Sequence, residues 1–241
     1  MQNDVLTGKI SVITGASAGI GAAIAKKLAT MGSHCILIAR DQGRLKKAQD
    51  EIAAAGGKAE SHICDLSDPN QIDSLTRKLL QAHGRCDILV NNAGIGSFGG
   101  PLHLTDLAEW EQTIAINLRA PYLLLRAFAP GMIAARSGHI INISSLASKN
   151  PVPNAAAYAA SKWGLNGMMV SAAEELRQHQ VRVSLIAPGS VQTGFGSGLA
   201  AQKSSLGAIQ PEDIADIVAL LATQADQSFI SEVLVRPTLK K

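Results

Sequence analysis

Short apolar runs alternate with longer stretches of helical character along almost the whole chain. The runs at 9–14 (K-I-S-V-I-T), 34–39, 58–63, 87–90, 138–143, 181–186 and 230–235 predict strands: each is four to six residues long, and several are rich in β-branched side chains. Between them lie Ala- and Leu-rich segments. Helices are predicted from the glycine-rich turn at 15–21 to about 31, over 42–55, from Pro69 to about 83, over 106 to about 135, around 155–178 and from 211 to about 223. Pro121 and Pro130 interrupt the fourth of these, and Asn117 sits in its middle. Strands and helices that alternate this regularly imply right-handed βαβ crossovers and one parallel sheet. The expected fold is α/β: one doubly wound domain spanning 1–241, a seven-stranded parallel sheet with helices on both faces. No repeat, low-complexity tract or linker divides it.

In such a sheet, ligands bind beyond the carboxyl ends of the strands. Gly15, Arg40, Asp65, Asn92, Ser145 and Gly189 all follow predicted strand ends, so one edge gathers the residues with chemistry. The first strand runs into Gly15-Ala16-Ser17-Ala18-Gly19-Ile20-Gly21 and then a helix. That geometry offers backbone N–H groups and a helix N-terminus to a phosphate. No Gly-Lys-Ser/Thr follows, which disfavours a nucleotide-hydrolysing loop. The second strand ends in Ala39-Arg40, where dinucleotide-binding folds carry an acid for the ribose hydroxyls or a nearby Arg for a 2′-phosphate. NADP(H) is therefore expected in preference to NAD(H). Asp41 is able to reach a ribose but reads better as a helix N-cap, and Arg40 as a plain surface charge is the simpler alternative. Asn91-Asn92-Ala93-Gly94 suits either a turn or the close approach of a flat ring.

Tyr158 and Lys162 are four residues apart in a proline-free helical stretch, hence on one helix face about a turn apart. A cation there stabilises phenolate and lowers the tyrosine pKa, which would make Tyr158 a general acid–base. A solvated surface pair is the alternative for these two residues alone.

Composition narrows the partners. Of 241 residues 46% are hydrophobic and 17% charged, enough for a large core, and the net charge is only +3 with Lys and Arg scattered. With 3% aromatics, neither nucleic acid nor a membrane surface is indicated. Cys35, Cys64 and Cys86 form no C-x-x-C pattern and read as buried free thiols in a reducing cytosol. The first eight residues lack an apolar signal region, and no apolar run approaches membrane-spanning length; a cytoplasmic protein is expected. The six histidines show no ligand spacing, so no metal is expected, and His139, beside a strand, reads as packed. No G-x-S-x-G hydrolase elbow is present.

Taken together, Thr14-Gly15-x-x-x-Gly19-x-Gly21, Asn91-Asn92-Ala93-Gly94, Asn117, Ser145, Tyr158-x-x-x-Lys162 and Pro188-Gly189 resemble the classical short-chain dehydrogenase/reductases, a Rossmann-fold family, over essentially the whole chain. The resemblance implies a catalytic set of Asn117, Ser145, Tyr158 and Lys162. Tyr158 would protonate a carbonyl oxygen, Lys162 would lower its pKa and bind the nicotinamide ribose, Ser145 would polarise the substrate oxygen, and Asn117 would anchor a water in the proton relay. Ser144 would be a bystander. The implied cofactor-binding set is Gly15, Ser17, Gly19, Ile20, Gly21, Arg40, Asp65, Leu66, Asn92, Ala93, Gly94, Tyr158, Lys162, Pro188, Gly189, Val191 and Thr193. Asp65 and Leu66 would meet the adenine, and Val191 and Thr193 the carboxamide. The implied activity is NADP(H)-dependent interconversion of a carbonyl and an alcohol on a small molecule (a ketone, hydroxy acid or 3-oxoacyl thioester) by a homodimer or homotetramer. An NADP-binding sensor without turnover is the alternative, although a sensor would typically have lost part of this set. Two features depart from the family pattern: Val233-Leu234-Val235 runs into Arg236-Pro237-Thr238 rather than a Gly-Gly pair, and the lid segment at 194–210 is short and built of small residues.

Overall fold

The computed structural model describes residues 4–98, 100–195 and 208–239. Seven parallel strands, β1 (Ile10–Thr14), β2 (His34–Ala39), β3 (Lys58–Ile63), β4 (Ile88–Asn91), β5 (Gly138–Ile143), β6 (Val181–Pro188) and β7 (Glu232–Val235), form one sheet in the order β3-β2-β1-β4-β5-β6-β7. The strand order reverses between β1 and β4, the switch point at which such sheets open a crevice. The helices are α1 (Gly19–Thr30), α2 (Gln42–Ala54), α3 (Pro69–His83), α4 (Leu107–Ile114), α5 (Ala120–Ala135), α6 (Ala156–Arg177) and α7 (Pro211–Ala222).

Period-two alternation sends neighbouring strand residues to opposite faces. Val12, Ile36, Ile38, Leu89, Ile140 and Val183 pack with Leu75 of α3, Leu124 and Phe128 of α5 and Met169 of α6. Ile13, Cys35, Leu37, Val90, Ile141 and Ile186 pack instead with Ile24 and Leu28 of α1, Leu45 of α2 and Val218 of α7. This is the doubly wound architecture the sequence predicts.

Three boundaries differ. β4 starts at Ile88 rather than at Asp87, whose buried carboxylate accepts the Ile10 N–H (2.9 Å) and pairs with Lys9 and Arg85 at the N-terminal edge of the sheet. β6 continues to Pro188, whereas β7 starts two residues late, at Glu232. In addition, neither proline breaks the helix at 106–135. Ahead of Pro121 the helix widens through a π-type turn at Ala115–Arg119, in which the Ala120 N–H reaches back five residues to the Ala115 carbonyl. A wider turn relieves the clash of the proline ring with the carbonyl four residues back. Pro130 lies inside α5 on its exposed side. Cys35, Cys64 and Cys86 are buried and free, and burial pushes their thiols up, Cys35 to about 12 and Cys64 to about 11. Among the described residues, no helix is long and apolar enough to cross a membrane.

Candidate active site

The C-terminal ends of β1, β4, β5 and β6 open into a cavity of about 640 Å3. Of the residues singled out from sequence, it is lined by Gly15, Gly19, Ile20, Asn92, Ala93, Gly94, Ser145, Tyr158, Lys162, Pro188, Gly189, Val191 and Thr193. A second hollow of about 530 Å3, over β2 and β3, shares Gly15, Ala93 and Gly94 and adds Ser17, Arg40, Asp65 and Leu66. Gly21 and Asn117 line neither and act from behind the walls.

The glycine-rich turn is shaped by close backbone approach. Gly15 has φ +67°, in the left-handed region, and a Cβ on Gly21 would lie 2.3 Å from the Gly15 carbonyl oxygen. The turn is latched to β4 by Thr14, whose Oγ1 accepts the N–H groups of Asn92 and Ala93 (both 3.0 Å) and donates to the Val90 carbonyl. The Asn92 amide donates to the Thr14 carbonyl (2.9 Å). Asn92 therefore builds the cradle as well as facing it. At the head of α1, Ala18 supplies no side-chain cap and the first turn holds no acid. The unpaired N–H groups and the positive end of the helix dipole suit an anionic group. The backbone cradle and this uncapped helix fit a pyrophosphate.

At the end of β2, Asp41 caps α2, its carboxylate accepting the Arg44 N–H (2.9 Å). The ribose-binding role open to Asp41 gives way to capping. Arg40 is exposed beside the second hollow, and Arg44, missed from sequence, lines both hollows. The signal for Arg44 was its spacing, one helical turn beyond Arg40. Asp65 is held by the Ser67 N–H and hydroxyl (2.9 and 2.8 Å), which keep its carboxyl below the usual range.

Tyr158 and Lys162 leave one face of α6 toward the end of β5. Both are buried, at 6% and 4% exposure, so the solvated-pair alternative fails. The Lys162 ammonium donates to the Ile143 carbonyl (2.9 Å) and lies 5.8 Å from the centroid of the Tyr158 ring. Burial lowers its pKa to about 8. The phenol of Tyr158 is pushed up by burial, with a hydrogen bond to the Ser145 side chain working the other way. The expected lowering of the tyrosine pKa by Lys162 is thus not a property of the chain alone, where desolvation is the larger effect. A protonated phenol is the form that donates a proton.

Asn117 is held in place by three hydrogen bonds. Its Nδ2 donates to the Ile95 carbonyl (2.9 Å) and to Ser161 Oγ (3.0 Å), and its Oδ1 accepts the Ile95 N–H (2.9 Å). Both amide hydrogens are used within the protein. The side chain ties the loop after β4 to α6. Ser144, beside the catalytic candidate Ser145, is tied into the fold. Its hydroxyl donates to Asn166 Oδ1 (2.6 Å), Asn166 Nδ2 donates to Ser148 Oγ (2.9 Å), and Ser148 Oγ donates to the Ser145 carbonyl (2.6 Å). Asn166, buried two turns along α6 from Tyr158, carried no sequence signal beyond being a polar residue on the apolar face. Among the described residues, no group of three or more His, Cys, Asp or Glu is arranged to hold a metal ion.

Comparison with known proteins agrees with this geometry. The short chain dehydrogenase family model matches residues 9–204. Human dehydrogenase/reductase SDR family member 4 is 30% identical over 240 residues, covering 95% of this chain and 86% of its own. A metagenomic short-chain oxidoreductase solved in complex with NADP is 64% identical, covers 98% of this chain and all of its own, and superposes with a TM-score of 0.88. The alcohol dehydrogenase of the archaeon Thermococcus sibiricus, complexed with 5-hydroxy-NADP, is 29% identical with a TM-score of 0.88, over 97% of this chain and 98% of its own. The chain belongs to the classical short-chain dehydrogenase/reductase family and is an NAD(P)-dependent oxidoreductase.

Proposed function

We propose that the chain reduces a ketone to an alcohol, or runs the reverse reaction, with NADP(H) as the preferred cofactor and Tyr158 as the acid–base residue. The observation that carries this reading is the burial of Tyr158 and Lys162 in the same cavity that the glycine-rich turn lines. A bound reduced nicotinamide supplies the hydride that forms the new C–H bond. As negative charge develops on the carbonyl oxygen, Tyr158 O–H breaks and its proton forms the alcohol O–H. Ser145 Oγ donates a hydrogen bond to the same oxygen, a pre-placed partner for that charge. Lys162 faces the resulting phenolate and holds it until a proton returns from solvent. Asn117, Ser161 and Asn166 position these groups without touching the reactants.

Arg40 and Arg44 flank the second hollow and suit a 2′-phosphate, which supports NADP(H) over NAD(H). Exposed Tyr122 on α5 and Trp163 and Val170 on α6 support a homo-oligomer, measurable by light scattering. The buried free thiols suit a reducing cytosol. Residues 196–207 of the expected lid lie outside the described residues and carry no part of the proposal.

The test is decay of reduced-nicotinamide absorbance, with NADPH and NADH in parallel, over ketones, keto acids and 3-oxoacyl thioesters. Oxidation of NADPH by one class supports the reading. Tight NADPH binding with silence across every class would instead support the sensor alternative.

A further inference from the structure

Around the Tyr158 ring stand two phenylalanines that the mechanism does not use. The Phe98 centroid is 5.3 Å from that of Tyr158, and the Phe195 centroid is 5.9 Å away. The two phenyl rings lie 6.4 Å apart and nearly perpendicular, at 80°. Phe98 comes from the loop after β4 and Phe195 from the segment after β6, so two distant parts of the chain bring their rings side by side against Tyr158. Each remains about 40% exposed (40% and 42%), an apolar surface that a ligand at Tyr158 would cover.

The chain makes room for this arrangement. A Cβ on Gly96 would lie 2.1 Å from Phe98 Cε2, so the ring folds back over its own loop only because residue 96 is glycine. The wall beside Tyr158 continues apolar through Ala147 and Val152.

The only charge the described lining places near Tyr158 is the Lys162 ammonium. Among the described residues, Arg44 and Lys162 are the cavity's only charged lining side chains. Arg44 belongs to α2, by the glycine-rich turn, and pairs with Asp41 (3.3 Å). Lys162 is bound to the Ile143 carbonyl. A substrate carboxylate packed against the two phenyl rings would be desolvated, and the one cation near it, Lys162, is already engaged by the Ile143 carbonyl and faces Tyr158, so its placement there is unfavourable. An aromatic ring there would meet two phenyl faces in the offset and edge-to-face geometries such rings prefer.

We infer that Phe98 and Phe195 are specificity-determining residues that select an uncharged carbonyl substrate bearing an aromatic group beside the reacting carbon. This rests on the oxidoreductase reading above and names the substrate class of that site.

The experiment compares kcat/KM with NADPH for acetophenone, cyclohexyl methyl ketone, acetone and phenylglyoxylate, in wild type, Phe98→Ala, Phe195→Ala and Gly96→Ala. Wild type is expected to favour acetophenone over phenylglyoxylate by more than about tenfold, a gap of about 1.4 kcal/mol, and over acetone by a similar factor. Each Ala variant at 98 or 195 is expected to reduce the acetophenone-to-acetone ratio severalfold, mainly through KM, with the NADPH dissociation constant unchanged. Gly96→Ala, which displaces the ring without deleting it, is expected to do the same. Preference for phenylglyoxylate, or variants that alter acetophenone and acetone equally, would overturn the inference while leaving the oxidoreductase reading standing. No oxidation with any carbonyl compound would overturn that reading and the inference with it.

Discussion

His139 sets a large acid sensitivity in this fold. It is the second residue of the interior strand β5, at 1% exposure, its Nε2 lies 2.8 Å from Ser184 Oγ, and its Nδ1 has no partner in hydrogen-bond geometry. Burial, reinforced by the nearby charge of Arg182, lowers its pKa from 6.5 to about 3, with the Leu221 backbone acting weakly the other way. Between these values the unfolded chain binds a proton that the folded chain excludes, so stability falls as pH drops from about 6.5 toward 3 and is unaffected above that window. At pH 5 the depressed side chain accounts for about 2 kcal/mol of lost stability relative to pH 7, and for about 4 kcal/mol once pH reaches 3. Carboxylates also titrate in this range, so the informative quantity is the difference between wild type and His139→Gln, which keeps a hydrogen-bonding group for Ser184 but does not titrate. Urea unfolding at pH 7.0 and 5.0 should show wild type losing about 2 kcal/mol more than the variant, equivalent to about 4–8 °C in Tm for a chain of this size. Parallel losses in the two proteins would refute the assignment of a buried, neutral His139.

Other substitutions separate the parts of the site. Gly21→Ala places a methyl group against the Gly15 carbonyl and should abolish cofactor binding by fluorescence titration; an unchanged dissociation constant would contradict the cradle. Arg40→Ala, and more so Arg40→Ala with Arg44→Ala, should weaken NADPH binding tenfold or more and NADH binding little, whereas equal losses would show that neither arginine reads the 2′-phosphate. Asn166→Ala leaves the buried Ser144 and Ser148 hydroxyls short of a partner, at a cost of about 1–3 kcal/mol of stability. It should also lower kcat with NADPH affinity intact; an unchanged kcat would remove Asn166 from the support of Ser145.

The sheet, its helices and the edge that gathers the site are legible in the sequence because β1, β2, β4, β5 and β6 are apolar on both faces and bounded by Gly, Asn and Ser turns. The covalent pattern also places Tyr158, Lys162 and Ser145, since helical spacing and strand ends follow from local rules. What was not legible depends on tertiary contact. Pro121 reads as a break, yet the π-type turn before it lets the helix continue. The partners of Asn117, the Ile95 backbone and Ser161, are brought to it only by folding. Burial decides the direction of the Tyr158 pKa, and no i, i+4 rule contains burial. Phe98 and Phe195 are almost a hundred residues apart, and only the loops bring their rings to the same tyrosine.

The most direct test of the central claim is Tyr158→Phe against wild type, measured both as NADPH oxidation with a ketone that wild type turns over and as NADPH affinity. Loss of the proton donor should reduce kcat by about 10²–10⁴-fold, while the NADPH dissociation constant stays within a few fold, because the glycine-rich turn and α1 are untouched. Comparable turnover in the two proteins would contradict the account, since the proton would then be coming from another group.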